Sequence, residues 1–327
     1  DRLFLLGCML VFSAYADWPE FRGPKGDGHA PGSGLPLTWS ETSNVKWKAE
    51  IPLQGISTPV VMDGQVWLTT ATPEGHDFFA VCVDAKTGKV LFNEKVFHSD
   101  SPESLGNGKG MNTYATPSAV LEPGRVYVHY GRFGTAWLDT KTAKVLWKRE
   151  DLKCRHYRGP SSCPVMFENL LILTFDGADL QYHVALDKKT GKTVWKTDRS
   201  VAWNDENVPG QMAKDGDLRK AHSTPLIVTA AGKPQMLSAG AKAAYGYDPR
   251  SGKELWKVQY PDWSVAPRPI YDQGLVFFVT GLTKKELLAV KPDGKGDVTD
   301  THVVWKLGTH VGKYASPILV DGLIYTA

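Results

Sequence analysis

No block of five or six like charges, no C-x-x-C-H motif and no apolar stretch long enough to cross a bilayer occurs in the 327 residues. The 38 basic and 35 acidic side chains leave a formal charge of +3 that is spread along the chain, so no phosphate-backbone footprint is present. Nucleic acid is therefore not expected as a partner, and a covalently attached c-type haem is absent from this stretch. Cysteines are few: Cys8, Cys82, Cys154 and Cys163 do not make a disulfide scaffold. What the chain does have is 42% hydrophobic residues against 22% charged, enough to bury a large globular core.

Residues 1–16 differ from the rest. Leu3 to Ala16 is an apolar run ending in Ala14-Tyr15-Ala16 just before Asp17, the small-x-small pattern of a signal-peptidase site. We expect 1–16 to be a signal peptide whose basic start is reduced to Arg2. A buried N-terminal strand or helix, or a lipid anchor at Cys8, are the alternatives. Export places the mature chain in an oxidising compartment, periplasmic or extracellular, where Cys154 and Cys163 are the plausible pair. Cys82 reads as a core filler.

From residue 44 onward one sentence recurs. "VDAKTGKVLF", "LDTKTAKVLW", "LDKKTGKTVW" and "YDPRSGKELW" each set an aromatic eight residues after an aspartate: Asp84 and Phe92, Asp139 and Trp147, Asp187 and Trp195, Asp248 and Trp256. Each follows a strand-like run that opens on a small residue and a proline, at Pro59, Pro117, Pro164, Pro225 and, without the full sentence, Pro269 and Pro317. Fixed spacing inside the unit and variable spacing between units describe rigid hairpins joined by tolerant loops. The aspartate can accept backbone N–H groups across the turn, and Gly88, Gly191 and Gly252 supply the positive φ of a tight hairpin. The aromatic then lands on an outer strand, where its flat face can close a seam.

Four short β-branched and aromatic runs per unit of about 50 residues, without helical period, predict an all-β chain of four-stranded antiparallel blades, a β-propeller. Residues 17–43 form a lead segment and 44–327 the propeller. Five complete blades are expected, with partial blades at both ends: "NVKWKAEI" (44–51) as a lone fourth strand carrying Trp47, and "DGLIYTA" (321–327) stopping in mid-blade. The sequence is thus read as part of a seven- or eight-bladed ring. The fifth unit carries an insertion, "PDGKGDVTDTH", before the strand with Trp305, and should have a longer third loop.

These sentences, with "DWPEFRGPKGDGHAPGSG" at 17–34, resemble the pyrroloquinoline-quinone-type repeat shared by quinoprotein alcohol dehydrogenases and BamB-like outer-membrane assembly factors. The resemblance covers nearly the whole mature chain and is specific for fold, much less for function. It implies, for the dehydrogenases, a quinone in the central channel with a vicinal Cys-Cys disulfide, a stacking tryptophan, a calcium and an aspartate base. This chain has no adjacent cysteines. No cofactor is expected, with PQQ and calcium the alternative.

Other motifs are weak. "GNGKG" (106–110) lacks the strand-to-helix context of a phosphate cradle and reads as a loop. Asn204, Asp205, Glu206 and Asn207 lack the alternate spacing of a calcium loop and read as a solvated turn. Geometry points elsewhere. The long connections, from Phe97 to Tyr114, Asp151 to Ser161, Arg199 to His222 and Tyr260 to Ala266, should share one face with the channel mouth. Three residues before each proline stand Ile56, Tyr114, Ser161, His222, Ala266 and Tyr314. Tyr114, His222 and Tyr314, with Arg155, His156, Arg158, Trp203 and Trp263 from the loops, are the candidate binding residues. They form an aromatic, modestly basic mouth, although each could equally fill a blade junction. The expected role is an exported, non-catalytic propeller that binds a protein, peptide or carbohydrate there, in peripheral association with an outer-membrane complex. The alternative is a quinone-dependent or quinone-derived oxidoreductase.

Overall fold

The computed structural model describes residues 17–30, 32, 34–210 and 214–327. The signal-peptide reading of 1–16, with Cys8, lies outside them.

Five sheets follow the repeat. Their strands are β1 (Val60–Met62), β2 (Gln65–Ala71), β3 (Asp77–Asp84) and β4 (Val90–His98) in the first, and β5 (Val120–Glu122), β6 (Arg125–His129), β7 (Thr135–Asp139) and β8 (Val145–Arg149) in the second. The third has β9 (Val165–Phe167), β10 (Leu170–Asp176), β11 (Gln181–Asp187) and β12 (Thr193–Asp198), and the fourth β13 (Leu226–Ala230), β14 (Lys233–Ala239), β15 (Ala243–Tyr247) and β16 (Glu254–Gln259). The fifth comprises β17 (Ile270–Asp272), β18 (Leu275–Val279), β19 (Leu287–Val290) and, after the short β20 (Gly296–Asp297), β21 (Val303–Leu307). A last pair, β22 (Ile318–Val320) and β23 (Leu323–Tyr325), forms a two-stranded sheet. Within each blade every strand pairs antiparallel with its sequence neighbour, β19 pairing with β21. The blades are those predicted. The insertion in the fifth is more than a loop: β20 pairs parallel with β16, Trp256 opposite Gly296, and covers the outer edge of the fourth blade.

The apolar core is divided among five clusters, one for each seam between successive sheets. Leu170 and Ile172 pack with Tyr245 and Tyr247 of the fourth blade, whereas Leu171 and Leu173, on the opposite face of the same strand, pack with Val120 and Tyr127 of the second. Alternation along a strand buried on both faces explains why residues 170–173, "LLIL", are apolar without a break. Cys82 is fully buried in the first seam, as its position opposite Trp67 and Phe92 requires. Cys154 and Cys163 are both free thiols, so the expected pair does not form.

The recurring turn works as predicted and does more. Asp84 Oδ1 accepts from Lys86 N at 3.0 Å and Thr87 N at 2.6 Å, and Asp139, Asp187 and Asp248 repeat the motif. The aromatic then crosses to the next blade. Trp147 Nε1 donates to the carbonyl of Lys188 at 2.9 Å with its ring lying on Gly191, and Trp195 does the same to Pro249 over Gly252. Trp47 makes this latch to Ala85 over Gly88 at 3.0 Å, although 44–51 contains no strand. That corrects the expected strand: no neighbouring strand offers it a ladder, and the side chain alone is anchored.

Where the latch chemistry changes, its parts change together. The second blade's turn has Ala143 in place of glycine, and it faces Phe92, which has no N–H to give. There Gln65 Nε2 supplies the bond to Thr140 O at 2.9 Å. Trp256 likewise reaches the fifth blade through Gln235, which donates to Pro292 O. Trp305 holds the corresponding place opposite Ala289 and is 39% exposed.

Hydrogen bonds from the threonine hydroxyls lower the carboxyl pKa of Asp84, Asp139 and Asp187 below the usual aspartate value of 3.8. A depressed folded pKa stabilises the fold above the unfolded value, and that contribution is lost as pH falls through the folded one. Thermal melts between pH 5 and 3 are expected to show the Tm falling below about pH 4. A variant with all three aspartates changed to asparagine should have a shallower fall, and an identical pH slope would refute the assignment.

Candidate functional site at the channel mouth

Inner strands β1, β5, β9, β13, β17 and β22 each begin two residues after a side chain of one position: Thr58, Ser118, Cys163, Thr224, Arg268 and Ser316. Four of these side chains accept a backbone N–H from the corresponding residue of the preceding blade. Thr58 N donates to Ser118 Oγ at 2.8 Å, Ser118 N to Cys163 Sγ at 3.2 Å, Cys163 N to Thr224 Oγ1 at 2.9 Å, and Arg268 N to Ser316 Oγ at 2.9 Å. The result is a belt of hydroxyl and thiol groups around the channel. Cys163 is therefore a belt member whose thiol pKa burial raises, not half of a disulfide.

Two residues further back stand Ile56, Thr116, Ser161, His222, Ala266 and Tyr314. These six, with Thr58, Ser118, Cys163 and Thr224 of the belt, line one cavity of about 370 Å³ at the channel mouth, joined by Gly108, Met111, Asn112, Arg158, Ser264 and Leu282 from the loops and by Phe21. Loop residues from three of the long connections, 97–114, 151–161 and 260–266, thus reach the channel mouth.

Arg268 departs from the belt chemistry, and the departure ties down the floor. Its guanidinium is buried and donates to Phe21 O at 2.5 Å, to Pro225 O at 3.0 Å and to Glu20 Oε1 at 3.3 Å, with Gly26 packed against it. The N-terminal segment crosses the inner strands of several blades. Trp18 forms a two-way bridge with Val61, Pro19 O accepts from Leu121 N, and Arg22 donates to Ser316 O and Pro317 O. Phe21 of this segment lines the cavity and serves as the floor of a cup.

Of the eight candidate binding residues, three line the cup: Arg158, His222 and Tyr314. Arg158 is held by Asp217, Nε at 2.8 Å and Nη2 at 2.6 Å, and this pairing raises its pKa. His222 Nδ1 lies 2.9 Å from Ser161 Oγ, which also receives Asn112 Nδ2 at 3.1 Å. Burial, then Lys220 and Arg158, keep His222 well below the usual histidine pKa, so it is neutral.

The other five sit elsewhere. Tyr114 is a core residue: its ring packs edge-on to Phe78 and Phe133, and its hydroxyl donates to Glu103 O. The proline count misplaced it. Pro117 stands three residues before β5 whereas Pro59 directly precedes β1, so the matching residue is Thr116. His156 is buried against Phe175, its Nε2 3.3 Å from Cys154 Sγ. Arg155 bonds Asp215 O on the surface. Trp203 is covered by Arg219, and Trp263 has its backbone fixed by Asp262. Asp205, read as part of a solvated turn, is buried in a two-point pair with Arg219.

Sequence reasoning missed Phe21, Met111, Asn112, Leu282 and the belt. The belt had a signal, since "ST", "SC", "ST" and "AS" precede four of the prolines. Nothing local marks Phe21 as a floor.

Comparison with known proteins agrees with this architecture. Residues 181–326 match the family described as outer membrane protein assembly factor BamB. The dehydrogenase subunit of a quinone alcohol dehydrogenase from Komagataeibacter europaeus is 30% identical over 182 residues, which is 51% of this chain but 22% of that protein. The chain therefore matches about a fifth of that relative's length. BamB from Moraxella catarrhalis superposes with a TM-score of 0.56 at 14% identity, covering 84% of this chain and 69% of that one. A quinohemoprotein alcohol dehydrogenase from Comamonas testosteroni gives 0.59 at 15% identity, covering 94% and 52%. By its repeats and its fold the chain is a β-propeller, similar over residues 181–326 to the BamB family and in fold to BamB and to a quinohemoprotein alcohol dehydrogenase alike.

Proposed function

We propose that the protein is an exported, non-catalytic propeller whose cup receives an apolar segment of a partner protein, with the blades as a rigid frame. The observation that carries this reading is the composition of the mouth. Ile56, Met111 and Tyr314, exposed by 55%, 64% and 57%, converge on one concave cavity, where exposed apolar side chains mark a binding surface rather than scattered surface positions. Several polar groups within it are held by the frame. Arg158 is tied to Asp217, Asn112 to Arg158 O and Ser161, and the Cys163 thiol is kept protonated by burial. A neutral His222 bonded to Ser161, with no carboxylate in the lining, leaves no acid–base pair poised for proton abstraction.

The same donor set argues against a calcium-bound quinone in this cup. No carboxylate and no tryptophan line it, and Cys163 has no cysteine neighbour. Phe21 occupies the base. The likeness to BamB supports the binding role by fold alone, and the export reading rests on the sequence of residues 1–16.

Two measurements test the reading. Purified full-length protein mixed with PQQ, Ca²⁺ and an alcohol or sugar is expected to reduce no redox dye, and turnover would overthrow the scaffold role. A photo-crosslinking side chain placed at Tyr314 should yield discrete protein adducts in the native host, while one at Lys141, in a blade turn that does not line the cup, should not. Equal adducts at both positions, or adducts only with polysaccharide, would count against a protein partner.

A further inference from the structure

We propose that the cup recognises the C-terminal carboxylate of a polypeptide whose last side chain is apolar, a ligand class that rests on the binding reading above. Several hydrogen-bond donors that face the cup have no partner among the described residues. Arg158 spends Nε and Nη2 on Asp217, and its Nη1 makes no hydrogen bond among the described residues. Ser161 Oγ receives Asn112 Nδ2 at 3.1 Å and shares a hydrogen bond with His222 Nδ1 at 2.9 Å. His222 Nε2 makes no hydrogen bond among the described residues, and in the Nε2–H tautomer, with Nδ1 accepting from Ser161, it is a further donor facing the cup.

The belt adds further donors. Ser118 Oγ and Thr224 Oγ1 use lone pairs to accept backbone N–H groups, so each keeps an O–H to give. Against these donors, no Asp or Glu lines the cavity; Asp217 faces it only through Arg158. A ligand that fits must bring acceptor oxygens, and a carboxylate accepts at two oxygens with about twice the strength of a neutral carbonyl.

The rest of the wall selects what carries the carboxylate. Phe21, Ile56, Met111 and Leu282 are apolar, and Phe21 belongs to the segment that Arg268 ties across the inner strands. A chain end can lay its last side chain on this wall and present two carboxylate oxygens, which a mid-chain segment does not have. An apolar final side chain would lie on this wall while its carboxylate meets Arg158 and His222.

The test uses the full chain and two fluorescein-labelled hexapeptides that end in Leu-Phe, one a free acid and one its C-terminal amide, read by fluorescence anisotropy. The acid is expected to bind about tenfold more tightly than the amide, the worth of one charge-assisted hydrogen bond. Replacing Arg158→Gln together with Asp217→Asn leaves no buried charge unpaired, and should bring the acid-to-amide ratio near one. Equal binding of acid and amide by the unaltered protein would overturn the carboxylate proposal while leaving an apolar docking role intact. A preference that survives in the double variant would also overturn it. If neither peptide binds, this inference falls, and the crosslinking at Tyr314 decides the wider reading separately. Should the double variant fail to fold, the acid-to-amide ratio in the unaltered protein remains decisive.

Discussion

Trp195→Ala is expected to destabilise the protein by roughly 3–5 kcal/mol, the range for emptying a buried aromatic site. The residue is 9% exposed, packs in the seam between the third and fourth blades with Val201, Tyr245 and Tyr247, and donates its indole N–H to Pro249 O at 3.1 Å. Alanine leaves a cavity at the seam and also orphans that carbonyl, so the transfer and hydrogen-bond losses add. Gly252→Ala should approach this effect from the other side. Gly252 has φ of +70°, where a side chain costs about 1–2 kcal/mol, and a Cβ there would run into the Trp195 ring. The two changes touch the same latch, so in the double variant the added methyl meets the space left by the ring, and the combined loss should be well below the sum. Chemical denaturation of the three variants checks this. A loss below about 1 kcal/mol for Trp195→Ala, typical of a surface site, would mean that the seam is not held by its latch.

The second large effect belongs to the floor of the cup. Arg268→Ala should release the N-terminal segment, because the guanidinium is the group that bonds Phe21 O, Pro225 O and Glu20 together. Its side chain is 2% exposed and that of Glu20 is 19%. Breaking a buried pair by removing one member costs about 3–5 kcal/mol when the other stays buried. Here the segment can lift away and let Glu20 reach water, so the expected cost is at the low end, roughly 3 kcal/mol, and appears as local undocking. Trypsin should then cut at Arg22 or Lys25 under conditions in which the unaltered protein resists. Arg268→Ser should behave differently from Arg268→Ala in one respect. Serine restores the hydroxyl that the belt has in other blades and should recover part of the stability while leaving the segment loose. Unchanged resistance to trypsin in both variants would show that the floor does not depend on Arg268.

The contrast between turn and floor shows how far local pattern reaches. Asp187, Thr190 and Gly191 are three residues of one tight turn, and the bonds that define it lie within five positions of chain. Such a motif is visible wherever it occurs, and four copies in constant register are enough to establish the blade. The aromatic eight residues later is legible for the same reason. Its exact partner is less so, because Lys188 O belongs to the next blade, 41 residues away from Trp147. Phe92 with Ala143, and Gln65 standing in for the missing indole, could be read as a compensated exception only after the seam was seen.

Tyr114 and Phe21 mark where sequence reasoning stops. A proline-based count put Tyr114 on the rim, but strand register, not the proline, sets which side chains face the channel, and β5 begins later than its proline implies. Register is fixed by pairing with the neighbouring strand, Val120 with Tyr127, a contact that no single stretch of residues displays.

The repeated hairpins, their turn chemistry, the all-β class and the blade count of the central region follow from the amino-acid order, because each depends on interactions within about ten residues. The cup, its floor and the set of donors within it were decided by tertiary structure. They are made by residues as distant as Phe21 and Arg268, brought together only when the inner strands of separate blades share one axis. Local physics repeats and can be read; a site assembled once from the inner strands of separate sheets has no repeat to announce it.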